Sequence, residues 1–180
     1  MRYTVHKVFL PWNFEKEEQW LNEMSAKGLE LVSIGWCKYI FEDGSKNEYK
    51  YRIELLENLP SHAESITYIR FLEDMGIEHI GSFFRWVYLR KKTQDGDFDL
   101  YSDIDSKIKH YRRISIFVGV LGLANAAPAI TNGINYFNND FMRNYPIFIL
   151  NAVVAVVLIA GYFILLKKII RLKKDKQLYE

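Results

Sequence analysis

Two kinds of apolar spacing divide this chain. Up to residue 92, apolar positions recur with a period of two or at helical intervals; beyond residue 113 they run almost unbroken. Residues 2–10 (RYTVHKVFL) are rich in β-branched and aromatic types and predict a strand. Pro11 ends it, since proline donates nothing to a ladder. Asn13 is placed to cap a helix, with Glu15, Glu17 and Glu18 as a solvated acidic first turn at the positive end of its dipole. Phe14, Leu21 and Met24 form that helix's apolar stripe, and Gly28 supplies a left-handed stop.

Residues 29–42 (LELVSIGWCKYIFE) read as a second strand, with Gly35 as a bulge or close approach. A turn at Asp43-Gly44 leads to a third strand over residues 47–57, which pairs with the second as a hairpin. Tyr49, Tyr51, Ile53 and Leu55 share one of its faces. Ser61 and Glu64 have the spacing of a capping box, Ile66, Ile69 and Leu72 give a second helix, and Gly76 ends it. Residues 77–92 are the last strand.

The order βαββαβ predicts a ferredoxin-like α+β domain over residues 1–92. Its four-stranded antiparallel sheet has the spatial order 4-1-3-2, with two helices on one face. Residues 93–113 form a linker and juxtamembrane helix. Residues 114–137 are 24 positions without a charge and residues 147–166 are 20. About 20 apolar residues span a bilayer as helix, so a two-helix transmembrane hairpin is expected, with residues 138–146 as its loop and residues 167–180 as a basic tail.

Charge sharpens this division. Residues 1–100 carry 13 Lys and Arg against 17 Asp and Glu, net −4; residues 101–180 carry 11 against 5, net +6. The acidic half is a poor nucleic-acid surface, because phosphate binding needs clustered cations. The cations of the basic half flank the apolar runs, with only Arg143 in the loop between them, which predicts that both termini are cytoplasmic. The N-terminus has no apolar signal-peptide region. The single cysteine, Cys37, implies no internal disulfide and packs as a small hydrophobe in an alternating strand.

Within the first span, Ser115, Gly119, Gly122, Ala126, Ala129 and Gly133 step by four and three and make a small-residue stripe. Such stripes let helix backbones approach closely. The partner is the second span of the same hairpin or a second copy of the chain in a homodimer. Asn132 and Asn151 fall at similar depths and are expected to face each other. No Asp, Glu, Lys or Arg lies inside either span, which argues against an ion or proton path.

No phosphate-binding glycine loop, nucleophile elbow or HExxH run is present, so neither an enzyme nor a cofactor or metal site is expected. His6 and His79 are the one conceivable metal pair, on strands expected to be neighbours. The surplus is aromatic: Tyr49, Tyr51, Phe84, Trp86 and Tyr88 are predicted on the sheet face that the helices leave open. That face suits a protein partner or the linker helix better than stacked RNA bases, given the acidity.

The strings F-x-x-W-x-F-E-K-E-E-x-W-L-N-E-M-x-x-K-G (Phe9 to Gly28), Y-x-Y-R-x-E-L-L-E-N-L-P (Tyr49 to Pro60), Y-I-R-F-L-E (Tyr68 to Glu73), G-S-F-F-R-W-V-Y-L-R-K-K (Gly81 to Lys92) and S-D-I-D-S-K-I-K-H (Ser102 to His110) resemble domain-of-unknown-function family 2812. The resemblance implies a bacterial membrane protein with two spans, often encoded beside PadR-type transcriptional regulators. It brings no activity and no functional residues. The resulting expectation is a membrane-anchored cytoplasmic regulatory module that binds a protein partner, such as a PadR-type regulator, in an envelope-stress or ligand response. The alternative is an accessory subunit of a membrane transporter.

Overall fold

The computed structural model describes residues 1–101, 103–137 and 145–179. The chain forms two compact units, Met1–Ser102 and Asp103–Glu180. The first runs β1 (Arg2–His6), α1 (Phe14–Ala26), β2 (Leu29–Gly35), β3 (Lys38–Asp43), β4 (Tyr49–Leu55), α2 (Ala63–Asp74), β5 (Ile77–Phe83) and β6 (Trp86–Lys92). This is α+β, but it is βαββ twice over. Each copy makes its own three-stranded antiparallel sheet, ordered β1-β3-β2 and β4-β6-β5.

The expected single four-stranded sheet is therefore replaced by two sheets. The two long strands expected over residues 29–42 and 77–92 each fold back on a two-residue turn, at Trp36-Cys37 and Phe84-Arg85. Consequently β3 and β4 belong to different sheets, and the hairpin expected between them does not form. Gly35 is the last strand residue before a turn rather than a bulge, and Cys37 lies in the turn with φ 49°.

The two copies repeat in detail. Gly28 and Gly76 end the two helices at φ 81° and 77°, and lie 48 residues apart. The same step carries the register break between Leu31 and Ser33 onto that between His79 and Gly81. Gly28 is also a close approach: a Cβ there would sit 3.0 Å from the Gly44 carbonyl oxygen.

The helix starts differ from expectation. A 3-10 turn at Pro11–Asn13 leads into α1, and the Asn13 side chain makes no capping bond. Helix α2 is capped by His62 rather than Ser61, its ring Nδ1 accepting from the Glu64 amide at 3.4 Å. Two apolar cores result. One joins Leu21, Leu31, Tyr39, Phe41, Tyr51, Ile53 and Tyr88, so α1 packs with residues of both sheets. The other places Ile69 and Leu72 of α2 against Val87 and Leu89, with Leu56, Ile77 and Phe98. The second sheet is thus buried on both faces, and no open aromatic face remains on it.

The second unit is two long helices, α3 (Ile104–Phe137) and α4 (Tyr145–Tyr179). Both are long and apolar enough to cross a membrane. The juxtamembrane helix and first span are one continuous helix through Pro128, and the basic tail is helical through residue 179. Most of the loop expected at residues 138–146 lies outside the described residues.

Candidate functional site

The acidic first turn of α1 is not a solvated start. Glu17 is buried, and Tyr39 and Tyr88 each donate a hydroxyl to its Oε1 at 2.6 Å. Burial pushes the Glu17 carboxyl above its ordinary pKa, and the two donors oppose that rise. Both tyrosines are in turn raised far out of reach of neutral pH by burial and the carboxylate beside them. Glu30 is a second buried acid, accepting from Ser25 Oγ at 2.8 Å and from the Tyr51 hydroxyl. Tyr51 closes the loop by accepting from the Leu31 amide at 3.0 Å. A third, Glu54, accepts from the Tyr68 hydroxyl at 2.8 Å. Buried charge is tolerated only when hydrogen-bonded, and here tyrosine supplies the bond each time.

Helix α1 also finishes β4. That strand pairs only with β6, so its other edge would present bare amides and carbonyls. Glu18, Asn22 and Ser25 lie along one helix face at spacings of four and three. Glu18 Oε1 accepts from the Ile53 amide at 2.8 Å, and Asn22 Oδ1 from the Tyr51 amide at 2.9 Å. Asn22 Nδ2 and Ser25 Oγ donate to the Tyr51 and Tyr49 carbonyls at 3.3 and 3.0 Å. Helix side chains do the work of a missing strand.

The five aromatics expected on one open face are distributed by this arrangement. Tyr51 and Tyr88 are core residues, and Tyr49 is half-buried with the Arg90 guanidinium 4.1 Å from its ring. Trp86 packs at the core margin, 6.0 Å from Phe14. Phe84 alone is well exposed, at 56%, because it sits in the turn. What the structure does bring together at the surface are the two turns. Trp36, 78% exposed, meets Phe83 edge-on at 5.6 Å between ring centres. His6 and His79 are on strands of different sheets, and His79 Nε2 bonds Ser82 Oγ at 2.8 Å. Among the described residues no group of three or more His, Cys, Asp or Glu could hold a metal ion.

In the second unit the small-residue stripe faces α4. A Cβ on Gly119 would lie 3.2 Å from the Tyr162 ring, on Gly122 3.5 Å from Ile159, and on Gly133 3.1 Å from Phe148. Ser115 and Ala129 are buried and Ala126 half-buried along the same side. The asparagines do not pair. Asn151 Nδ2 donates to the Ile147 carbonyl of its own helix at 2.9 Å, and Asn125 Nδ2 to Leu121 at 2.8 Å. Asn132 is half-buried and makes no hydrogen bond to Asn151. A back-bond within the helix satisfies an amide without any partner helix. Below the apolar stretch, Lys176 meets Asp105 at 2.7 Å and Lys168 lies 5.5 Å from the Tyr111 ring centre.

A βαββ-duplicated α+β module followed by two apolar helices defines the class. A family model described as protein of unknown function, DUF2812, matches residues 13–123, and the chain belongs to that family. The match runs from α1 through β6 and into the apolar part of α3, with β1 outside it. No curated protein and no solved structure matches the chain.

Proposed function

We propose that the chain is a membrane-anchored regulatory module. Its two apolar helices hold an acidic α+β domain at the cytoplasmic face, where it binds a protein partner. A single observation carries the anchoring. Helices α3 and α4 turn Leu123, Ile130, Leu150 and Val156 outward while burying Ser115, Gly122, Ala129 and Gly133. Large apolar side chains also fill part of the interior, Ile114, Val118 and Leu165 among them, but so many left outside, over a seam of small residues, suit lipid as the solvent. The partner is proposed to be a transcriptional regulator of the PadR type, engaged in an envelope-stress or ligand response, on the strength of family resemblance. No catalytic role is proposed. The transporter-subunit reading loses support, because the stripe that would have recruited another helix is occupied by α4.

Cross-linking in living cells followed by detergent solubilisation tests the reading. The full chain should retain one regulator that a variant comprising residues 93–180 does not. Retention of transport-protein subunits by both would favour the accessory-subunit reading instead. Deleting residues 103–180 should move the module to the soluble fraction, and a module that stays with membranes would contradict helix anchoring.

A further inference from the structure

We propose that the tips of the β2–β3 and β5–β6 hairpins are a lipid-docking surface that lays the module against an anionic bilayer. The inference rests on the anchoring reading above and adds a second, independent contact with the membrane.

Three features of the tips converge. Trp36 and Phe84 occupy corresponding positions of the two repeats, and Phe83 brings the tips into ring contact. Both turns therefore place large apolar rings outward, where a water-facing turn favours small polar residues. Phe84 does so at φ 55°, a left-handed conformation suited to glycine or asparagine. The fold accepts a bulky ring at a position where its backbone is strained.

The second feature is charge. The module is acidic overall, yet residues 1–14, 31–41 and 79–94 contain no Asp or Glu. The exposed Lys38 flanks the rings at the first turn, and the half-buried Arg85 in the second holds the Leu56 carbonyl with its guanidinium. The Lys7 amide donates to the Cys37 carbonyl at 3.1 Å, although its ammonium lies over the Trp20 and Phe9 rings, and Val8, 71% exposed, follows it. The nearest acid along the neighbouring loop is Glu57, next to Leu56, whose carbonyl accepts from the Arg85 guanidinium. Exposed Trp and Phe among cations match the interface of an anionic leaflet: rings sit at the headgroup level and cations are drawn by the negative surface potential.

The third feature is the tether. Any module joined to bilayer-spanning helices meets lipid at high effective concentration, so a surface this small can dock where it could not from solution.

Cys37, the single cysteine, sits in the first tip and takes a nitroxide label without mutation. The full chain is reconstituted in vesicles of phosphatidylethanolamine and phosphatidylglycerol, and separately in phosphatidylcholine. Accessibility of the label to oxygen and to an aqueous nickel chelate is then compared. In the anionic vesicles the oxygen-to-nickel ratio at Cys37 should exceed by several-fold that of a label at Ser61→Cys in a Cys37→Ser chain. It should fall towards the Ser61 value in phosphatidylcholine, in a Trp36→Glu chain and in Phe84→Gly. The last variant relieves the strained turn and so should not lower thermal stability.

A water-like ratio at Cys37 in the anionic vesicles overturns the proposal. So does a strong short-range dipolar coupling between Cys37 labels, which would assign the tips to a second copy of the chain. A label at Leu121→Cys, in the apolar part of α3, separates the failures. If it reports lipid while Cys37 reports water, docking alone is wrong. If both report water, the anchoring fails and docking with it.

Discussion

The two compact units of this chain leave opposite things exposed. The α+β module hides Leu21, Phe41 and Tyr51 and shows a charged exterior, with few exposed rings, among them Trp36 and Phe84 at two turns and Phe71 on α2. The helix pair hides a seam of serine, alanine and glycine with a few large residues such as Ile114 and Leu165, and leaves Leu123 and Leu150 two-thirds exposed. Water drives the first arrangement by excluding apolar surface. It would punish the second. The contrast teaches that the exposed surface reveals the solvent: leucine is largely kept from the surface of the module, whereas in the helix pair Leu165 is buried but Leu123 and Leu150 are left outside.

A pair of leucine truncations gives the largest expected effect. Leu21→Ala opens the module core where the parent side chain is fully buried, and should cost about 2–5 kcal/mol in denaturant unfolding followed by tryptophan fluorescence. Leu123→Ala, on the outer side of α3, should leave that unfolding curve unmoved. Equal effects from both would mean that the helices share the solvent of the module.

Next in size is the edge of β4. Asn22→Ala removes the acceptor for the Tyr51 amide and a donor to the Tyr51 carbonyl, and should cost about 1–3 kcal/mol. Hydrogen exchange should rise at the Tyr51 amide and be unchanged at Leu89, in the middle of the same sheet. Uniform loss of protection would show that the helix face does not finish the edge.

The buried acid gives a pH signature. Burial raises the folded-state pKa of Glu17 above its ordinary value of 4.5, with Tyr39 and Tyr88 opposing. A carboxyl raised in this way stabilises the fold fully below its unfolded pKa and loses that contribution as pH rises through the folded one. Glu17→Gln keeps an acceptor for both hydroxyls and cannot ionise. Its stability relative to the parent should therefore increase as pH rises above about 4.5. A difference that stays flat from acid to neutral pH would contradict the assigned cause.

The smallest effect is expected between the helices. Gly119→Ala forces the Tyr162 ring to yield by a few tenths of an ångström, whereas Gly122→Ala makes ordinary contact with Ile159. A fluorescence pair reporting α3–α4 proximity in vesicles should register a small shift for the first and none for the second. The reverse order would place the helix seam elsewhere.

Element types were legible in the sequence, and topology was not. Both helices, both glycine stops and the two apolar runs follow from periodicity and turn chemistry. The two hairpins were hidden because alternation persists through a two-residue turn, so residues 29–42 and 77–92 each read as one strand. Two cues were available. Strands of that length far exceed the usual five or six residues. The repeat of Gly28, Glu30 and the following run at Gly76, Glu78 and beyond announces a duplication. The role of Glu17, Glu18 and Asn22 was not legible, because charged residues at a helix start look solvated until the topology brings β4 and two tyrosines to them. Asn132 and Asn151 misled for a related reason: an amide in an apolar helix can bond its own backbone, which depth matching does not weigh.

The anchoring itself is tested most directly by sidedness. A chain carrying Asn139→Cys, between the two apolar runs of the sequence, is treated in intact cells with a membrane-impermeant maleimide, alongside the parent whose only thiol is Cys37. The account predicts that position 139 is modified in intact cells and that Cys37 is modified only after lysis. Modification of Cys37 in intact cells with position 139 protected would reverse the orientation, and modification of neither until lysis would remove the claim that the hairpin crosses the membrane.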